Sequence, residues 1–276
     1  MNDGEKDRRG RLLEILNELA EVYAIAVLAS AFLSNHFHLV LVNLPELVDQ
    51  WSDREVMLRA QRAYPSRFKT MGITGPPTDE QMVVLLRKRK LIKEFRRRLS
   101  DISWMMRMLK QRFAAEVNSE LGETGHFWEG RFKLIEILSE AQLVATMIYV
   151  SLNQIRAGEA STLDTSFWTS VCWQLQARQS AVSAEMSLAE LRAGHLAPLG
   201  TDHAPKPKFK AGTPGSYRAS DTPSMEMSLD EFVRLAQCAY ELSEGKRAKP
   251  TPSVARSMER VQLSQDQLVQ ALAGIL

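Results

Sequence analysis

The chain has 276 residues, of which 45% are hydrophobic and 25% charged, and its formal net charge at pH 7 is +2. This composition is that of a globular protein, and the length suits one large domain or one domain with a smaller appendage. The sequence lacks a long apolar run, a signal-peptide core and a Cys-x-x-Cys pattern, which excludes a membrane span and a disulfide framework and predicts a cytoplasmic protein.

The chain is predicted to begin with an amphipathic helix and a β-hairpin. Leucines recur at helical spacing over residues 9–23, which predicts a helix. Two apolar runs, 24–32 and 36–42, flank a short polar turn, which is typical of a hairpin on which the helix packs.

The second strand of this hairpin carries two histidines, His36 and His38. Side chains alternate across a strand, so both imidazoles lie on one face, about 7 Å apart in backbone rise. This spacing suits two neutral nitrogens that bind one divalent metal ion. The residues alone leave a second interpretation open, in which one histidine hydrogen-bonds the turn and the other lies at the sheet rim.

Residues 46–121 are predicted to form a helical insertion. Capping patterns begin at Ser52 and Thr78, and they open one helix to about residue 63 and a second helix through a basic window. A long helix is predicted over residues 101–121.

The basic window, residues 87–112, holds eleven Lys or Arg and only two acidic residues, Glu94 and Asp101. Its charge of +9 leaves −7 for the rest of a chain whose net charge is +2. Such a local concentration is the electrostatic footprint of a polyanionic partner. A helical face that is merely solvated is the alternative.

A third strand is predicted over residues 127–138, followed by a helix that Ser139 caps and that runs to Asn153 or Gln154. Tyr149 and Asn153 are neighbours on one side of this helix, because residues four apart share a face. Considered alone, such a tyrosine is more commonly a half-buried core residue whose hydroxyl is hydrogen-bonded.

The C-terminal part of the sequence carries weaker signals. A helical connector is predicted over residues 174–195, and a flexible linker rich in Pro, Gly, Ser and Thr over 196–226. A small helical region over 227–276 is predicted to contain short helices at 228–242 and 264–272, each capped by a serine.

Four motifs occur in order: SNHFHL at residues 34–39, GHFWEGRFK at 125–133, YVSLN at 149–153 and RAG at 156–158. Together they resemble those of the single-tyrosine HUH transposases, in particular the longer bacterial members related to the REP-associated tyrosine transposases. The resemblance covers residues 9–173, and it implies that residues 1–173 are the catalytic domain.

The resemblance implies an α+β fold with a ferredoxin-like antiparallel sheet. It implies that His36, His38 and Asn153 bind Mg or Mn and that Tyr149 is the nucleophile. If Tyr149 is not the nucleophile, Tyr64 or Tyr217 is next in line. The implied activity is nicking and rejoining of single-stranded or hairpin DNA through a 5′-phosphotyrosine. A homodimer is compatible with it, whereas a membrane partner is not expected.

If the chain binds DNA, its basic residues and the aromatic side chains of Trp104 and Trp128 are the candidates for holding it. The basic candidates are Arg87, Lys88, Arg89, Lys90, Arg96, Arg97, Arg107, Lys110 and Arg131. A non-catalytic DNA-binding protein derived from a decayed or domesticated transposase is the main alternative function. A helical partner-binding protein with a coincidental His-x-His is a third.

Two features depart from the family pattern. Gln154 stands where the family usually has proline, and the usual strand upstream of the first helix is missing. We therefore expect the 276-residue chain to be poorly soluble or inactive. A chain extended upstream by about thirty codons, enough for one strand and its connection, is expected to regain activity.

Overall fold

The computed structural model describes residues 8–180, 196–197, 218–221, 225, 227–245 and 250–273. Residues 181–195, most of the predicted linker and Tyr217 lie outside these ranges. The described chain is an α+β protein that is mostly helical, and its single sheet has two antiparallel strands.

The elements in chain order are α1 (Arg8–Val22), β1 (Ile25–Phe32), β2 (Phe37–Asn43), α2 (Pro45–Gln50), α3 (Asp53–Ala63), α4 (Pro65–Lys69), α5 (Asp79–Leu86), α6 (Arg89–Arg98), α7 (Ile102–Leu121), α8 (Glu140–Ser151), α9 (Asn153–Arg156), α10 (Ser170–Ser180), a 3-10 turn (Ala219–Asp221), α11 (Leu229–Ser243), α12 (Pro252–Arg260) and α13 (Gln265–Leu272). The predicted first helix and hairpin are confirmed. The C-terminal region contains an additional helix, α12, that the sequence patterns did not indicate.

The described residues divide into two compact units. The first contains residues 8–26, 41–133 and 218–221, and its core includes α1, α3, α6 and α7. The second contains residues 27–40, 134–180, 196–197, 225, 227–245 and 250–273. These units cut across the predicted domain boundaries, because the C-terminal helices belong to the same unit as α8.

Strand β1 is buried along its whole length, which explains why its sequence is a continuous apolar run. Beyond its pairing with β2, Ala31 forms an antiparallel bridge with Thr169, and Val27 forms a parallel bridge with Leu196. The Phe32 and Trp173 rings pack at 6.2 Å between centroids. The hairpin that carries the histidines is therefore held by a buried strand.

Local capping signals set the helix starts in the predicted insertion. The Ser52 hydroxyl accepts a hydrogen bond from the Glu55 N–H at 3.1 Å, and Thr78 forms a reciprocal capping box with Gln81. The single helix predicted after Thr78 is wrong, because the chain breaks between α5 and α6. Lys88 has a non-helical ψ of 66° at this break, where neither glycine nor proline marks the sequence.

The predicted third strand at residues 127–138 is also wrong. Residues 131–138 have no regular secondary structure, and Leu134, Ile135 and Leu138 are 65%, 66% and 80% exposed. Strand propensity reflects packing against neighbouring strands more than an intrinsic backbone preference. No strand within the described residues pairs with this segment, so its β-type sequence remains unpaired.

The first unit contains a buried pair of tyrosines. The hydroxyl groups of Tyr23 and Tyr64 are 2.7 Å apart, and burial raises the pKa of both phenols. Tyr64 is only 5% exposed, so its hydroxyl is not available to attack a phosphate. Of the two alternative candidates for the nucleophile, Tyr64 and Tyr217, only Tyr217 is left.

We expect Tyr23→Phe to lower the free energy of unfolding by about 1–3 kcal/mol, because the Tyr64 hydroxyl would lose its partner in a buried site. Urea unfolding of the full chain measures this change. The double variant with Tyr64→Phe is the control, and it should cost less than the sum of the two single variants, because both polar groups are then removed. Additive losses would show that the hydroxyls do not interact.

Candidate active site

The two histidines lie where the hairpin turns into β2. The Leu33 N–H donates to the His36 carbonyl at 2.9 Å, which closes the turn, and His38 is the second residue of β2. The imidazole centroids are 5.0 Å apart, with the rings nearly perpendicular. The alternation of side chains along the strand therefore brings both rings to one face.

Both imidazoles have features that suit metal binding. His36 Nδ1 lies 2.6 Å from the Asn35 side-chain oxygen, which can only accept. In the tautomer with the proton on Nδ1, the Nε2 lone pair remains for a metal ion. His38 Nε2 is buried without a hydrogen-bond partner among the described residues. Burial, with a smaller contribution from His36, lowers the pKa of His38 and keeps it neutral at pH 7.

Helix α8 brings Tyr149 to His38. The Ser139 hydroxyl caps the helix by accepting from the Gln142 N–H, and an apolar face that includes Val144 and Ile148 is buried. The half-buried Tyr149 ring meets His38 edge-on, with 5.6 Å between centroids. A strand and a helix that are far apart in sequence thus meet at one place in the second unit.

Arg156 is a residue of this site that the sequence analysis did not single out for a role. Its guanidinium carbon lies 5.3 Å from the centroid of the Tyr149 ring. The signal was present in the sequence, because residues seven apart lie on the same side of a helix. The guanidinium adds positive charge to the site, which suits the binding of a phosphate there.

Asn153 and Gln154 begin the short helix α9, after a break at Leu152. Asn153 is 8% exposed and follows Tyr149 by one turn. Gln154 binds the next loop through both ends of its amide, with Nε2 donating to Glu159 at 2.9 Å and Oε1 accepting from the Trp168 N–H at 2.8 Å. Gln154 therefore anchors residues 159–168.

The two histidines could supply two ligands to a divalent ion. The described residues contain no group of three or more His, Cys, Asp or Glu that could hold a metal. The two imidazoles would therefore need a third ligand of another kind, and an amide carbonyl oxygen such as that of Asn153 is chemically suited to Mg or Mn. The unpartnered, buried Nε2 of His38 is the observation that supports a metal ion here.

Two of the predicted DNA-binding cations make contacts within the first unit. Arg96 donates to the Trp51 carbonyl at 2.9 Å and to Asp53 at 3.0 Å, which ties α6 to the start of α3. Lys110 donates to the Gly130 carbonyl at 2.5 Å, and burial lowers its pKa. These contacts within the protein account for the positions of both side chains without a DNA partner.

Trp104 and Trp128, which were predicted to stack on DNA bases, also contact other residues of the first unit. The Trp128 indole N–H donates to the Lys110 carbonyl at 2.9 Å, and its ring packs 5.6 Å from Phe113. Trp104 lies 3.8 Å from the Arg98 guanidinium and 5.0 Å from that of Arg107. The motif residues around Trp128 therefore pack on α7.

The remaining predicted cations lie at the surface of the first unit. Arg89 is 78% exposed and pairs with Asp53 at 2.6 Å, a contact that is weak in water. The other exposed members are Arg87, Lys88, Lys90, Arg97, Arg107 and Arg131. This cluster retains the positive charge that a polyanion would contact.

Comparisons with family models, with curated proteins and with solved structures return no match to this chain. Among the helices of the described ranges, none has the length and apolar character that crossing a bilayer requires.

Proposed function

We propose that this chain is a single-tyrosine DNA transposase that nicks and rejoins single-stranded or hairpin DNA. The observation that carries the proposal is the contact between Tyr149 and His38, 5.6 Å between ring centroids, beside the unpartnered His38 Nε2. The order of the four sequence motifs supports the same class. In this proposal the β1–β2 hairpin belongs to a ferredoxin-like antiparallel sheet.

The proposed reaction conserves the energy of the phosphodiester bond. The Tyr149 oxygen attacks the scissile phosphorus, loses its proton to solvent, and forms a 5′-phosphotyrosine as the P–O3′ bond breaks. The released O3′ takes up a proton. A 3′-hydroxyl then attacks the phosphotyrosine and displaces Tyr149, which rejoins the DNA without an external energy source.

The remaining site residues have distinct parts in this reaction. A divalent Mg or Mn ion held by His36, His38 and Asn153 would neutralise and orient the scissile phosphate. Arg156, whose guanidinium carbon lies 5.3 Å from the centroid of the Tyr149 ring, would add positive charge for the bound phosphate. The burial that lowers the pKa of His38 keeps its imidazole unprotonated, as a ligand must be.

A non-catalytic DNA-binding protein is the second candidate function. The exposed cations of the basic window favour it, because they need no chemistry to hold a polyanion. In that case the His38–Tyr149 contact is a remnant of an earlier active site.

Incubation of the full chain with labelled hairpin oligonucleotides and Mn tests these candidates. A covalent adduct that survives a denaturing gel supports the transposase. A mobility shift that weakens with salt, without an adduct, supports the binding protein. If neither an adduct nor a shift appears, both candidates are overturned and a helical partner-binding protein remains.

A further inference from the structure

Helix α8, which carries Tyr149, is buried over more than half of its circumference. At 3.6 residues per turn, its buried residues spread over about 220° of the helix surface. A helix that packs on one neighbour needs an apolar stripe of about 100°. Helix α8 therefore needs cover from more than one side. The buried residues are Ala141, Val144, Ala145, Met147, Ile148, Val150 and Ser151.

Tyr149 lies at the edge of this buried face. It follows the buried Ala145 by one turn, and its half-buried ring meets His38 at 5.6 Å between centroids. The hairpin that carries His38 forms a sheet of only two strands among the described residues, and a sheet of this size is marginally stable by itself. The hairpin alone therefore cannot fix the position of α8.

The C-terminal helices supply the additional cover. Helices α11 and α13 both pack against α8, and all three belong to the second unit. Leu268 and Leu272 on α13 are buried, as are Phe232 and Leu235 on α11. The four sequence motifs end at residue 158, so the helices that cover α8 lie outside the part of the chain that carries the motifs.

The start of α13 is fixed by the turn that precedes it. Gln262 in this turn has a φ of +55°, a left-handed conformation that persists only where the surrounding structure imposes it. Its neighbours Val261 and Leu263 are both buried, and the Leu263 N–H donates to the Met258 carbonyl at 2.9 Å. The turn therefore holds α13 in one position relative to α12.

Polar contacts tie α12 to α11 in turn. Glu231, in the first turn of α11, accepts a hydrogen bond from the Ser257 hydroxyl at 3.3 Å and lies 3.6 Å from the Arg260 guanidinium. Helix α11 also packs against both α12 and α13. The three helices α11–α13 thus support one another, and two of them contact α8.

We propose that α11–α13 form a brace that holds α8 in the orientation in which Tyr149 contacts His38, with Leu268 and Leu272 as positioning residues. The inference rests on the proposed function for the role of Tyr149, whereas the brace itself can be measured without DNA. The brace governs the rate of attack and not DNA affinity, because the exposed cations of the basic window belong to the first unit. Misplacement of a reacting group by about 1 Å can cost on the order of 100-fold in rate.

Leu268→Ala in the full chain tests the brace. We expect the rate of adduct formation with hairpin DNA and Mn to fall by about 10- to 100-fold, while DNA affinity in a mobility shift stays within a few-fold of the wild-type value. Val269→Ala is the matched control, because Val269 is the next residue of α13 and is exposed, and it should leave the rate unchanged. Leu268→Met should retain the rate, since the two side chains have similar volumes.

Hydrogen exchange of the full chain without DNA is the second measurement. In Leu268→Ala the amides of α8 should exchange about 10-fold or more faster, because truncation of a buried leucine loosens its packing, while the amides of α1 and α7 in the first unit keep their protection. If the wild-type chain forms no adduct, the proposed cleavage fails, but faster exchange confined to the second unit still supports the brace.

Three results would overturn the brace. The first is unchanged exchange of α8 in Leu268→Ala, and the second is an equal loss of protection in α1 and α7, which would indicate global destabilisation. The third is an adduct that forms in Leu268→Ala at the rate of the wild type and of Val269→Ala. In this third case the proposed cleavage stands while the brace does not.

Discussion

Tyr149→Phe is expected to abolish the covalent protein–DNA adduct and to leave DNA affinity within a few-fold of the wild-type value. Only the attacking oxygen is removed, while the ring contacts of Tyr149 with His38 and Arg156 can persist. Loss of a nucleophile costs on the order of 10⁴-fold or more in the chemical step. A denaturing gel with labelled hairpin DNA and Mn measures the adduct, and a mobility shift at fixed salt measures the affinity.

Tyr240→Phe is the matched control, since Tyr240 is also half-buried but lies on α11. It should form the adduct at the wild-type rate. An adduct that persists in Tyr149→Phe would contradict the assignment of the nucleophile. Tyr217 would then be the remaining candidate nucleophile, because the Tyr64 hydroxyl is buried against Tyr23.

His38→Ala and His36→Ala are each expected to remove Mn-dependent cleavage. Loss of an outer-shell partner already weakens metal binding about 10- to 100-fold, so loss of a direct ligand should cost at least about 10-fold. Titration calorimetry with Mn measures this loss without DNA. Removal of the metal from the wild-type protein by a chelator should abolish the adduct in the same way.

His203→Ala is the control for removal of an imidazole, because His203 belongs to the predicted linker. Circular dichroism of each variant checks that the hairpin substitutions leave the helices intact. Unchanged Mn binding in the double variant His36→Ala/His38→Ala would leave these histidines as residues of the turn and the sheet rim. That was the interpretation that the residues alone left open.

Elements whose signals are local could be predicted from the sequence. The leucines of α1, the apolar runs of the hairpin and the caps at Ser52, Thr78 and Ser139 all act through residues within one or two turns of each other. Tyr149 and the two histidines also stood out, because strand alternation and helical spacing decide which side chains share a face.

The features that were not predicted correctly depend on contacts with residues distant in sequence. Residues 131–138 have the composition of a strand, but a strand needs a neighbour to pair with, and composition does not supply one. The positive window at residues 87–112 did not reveal that Arg96 and Lys110 bind backbone carbonyls. A formal charge does not distinguish an exposed cation from one that is already bonded.

The amino-acid sequence by itself determined the first helix, the hairpin, most helix starts and the faces on which His36, His38 and Tyr149 lie. Only the tertiary structure decided that Tyr149 packs on His38, that Arg156 covers the Tyr149 ring, and that Gln262 adopts a left-handed conformation. The physical reason is the separation in sequence over which each kind of interaction acts. Hydrogen bonding and side-chain periodicity act within a few residues, whereas contacts between α8 and β2, or burial on both sides of a turn, arise only when distant segments pack together.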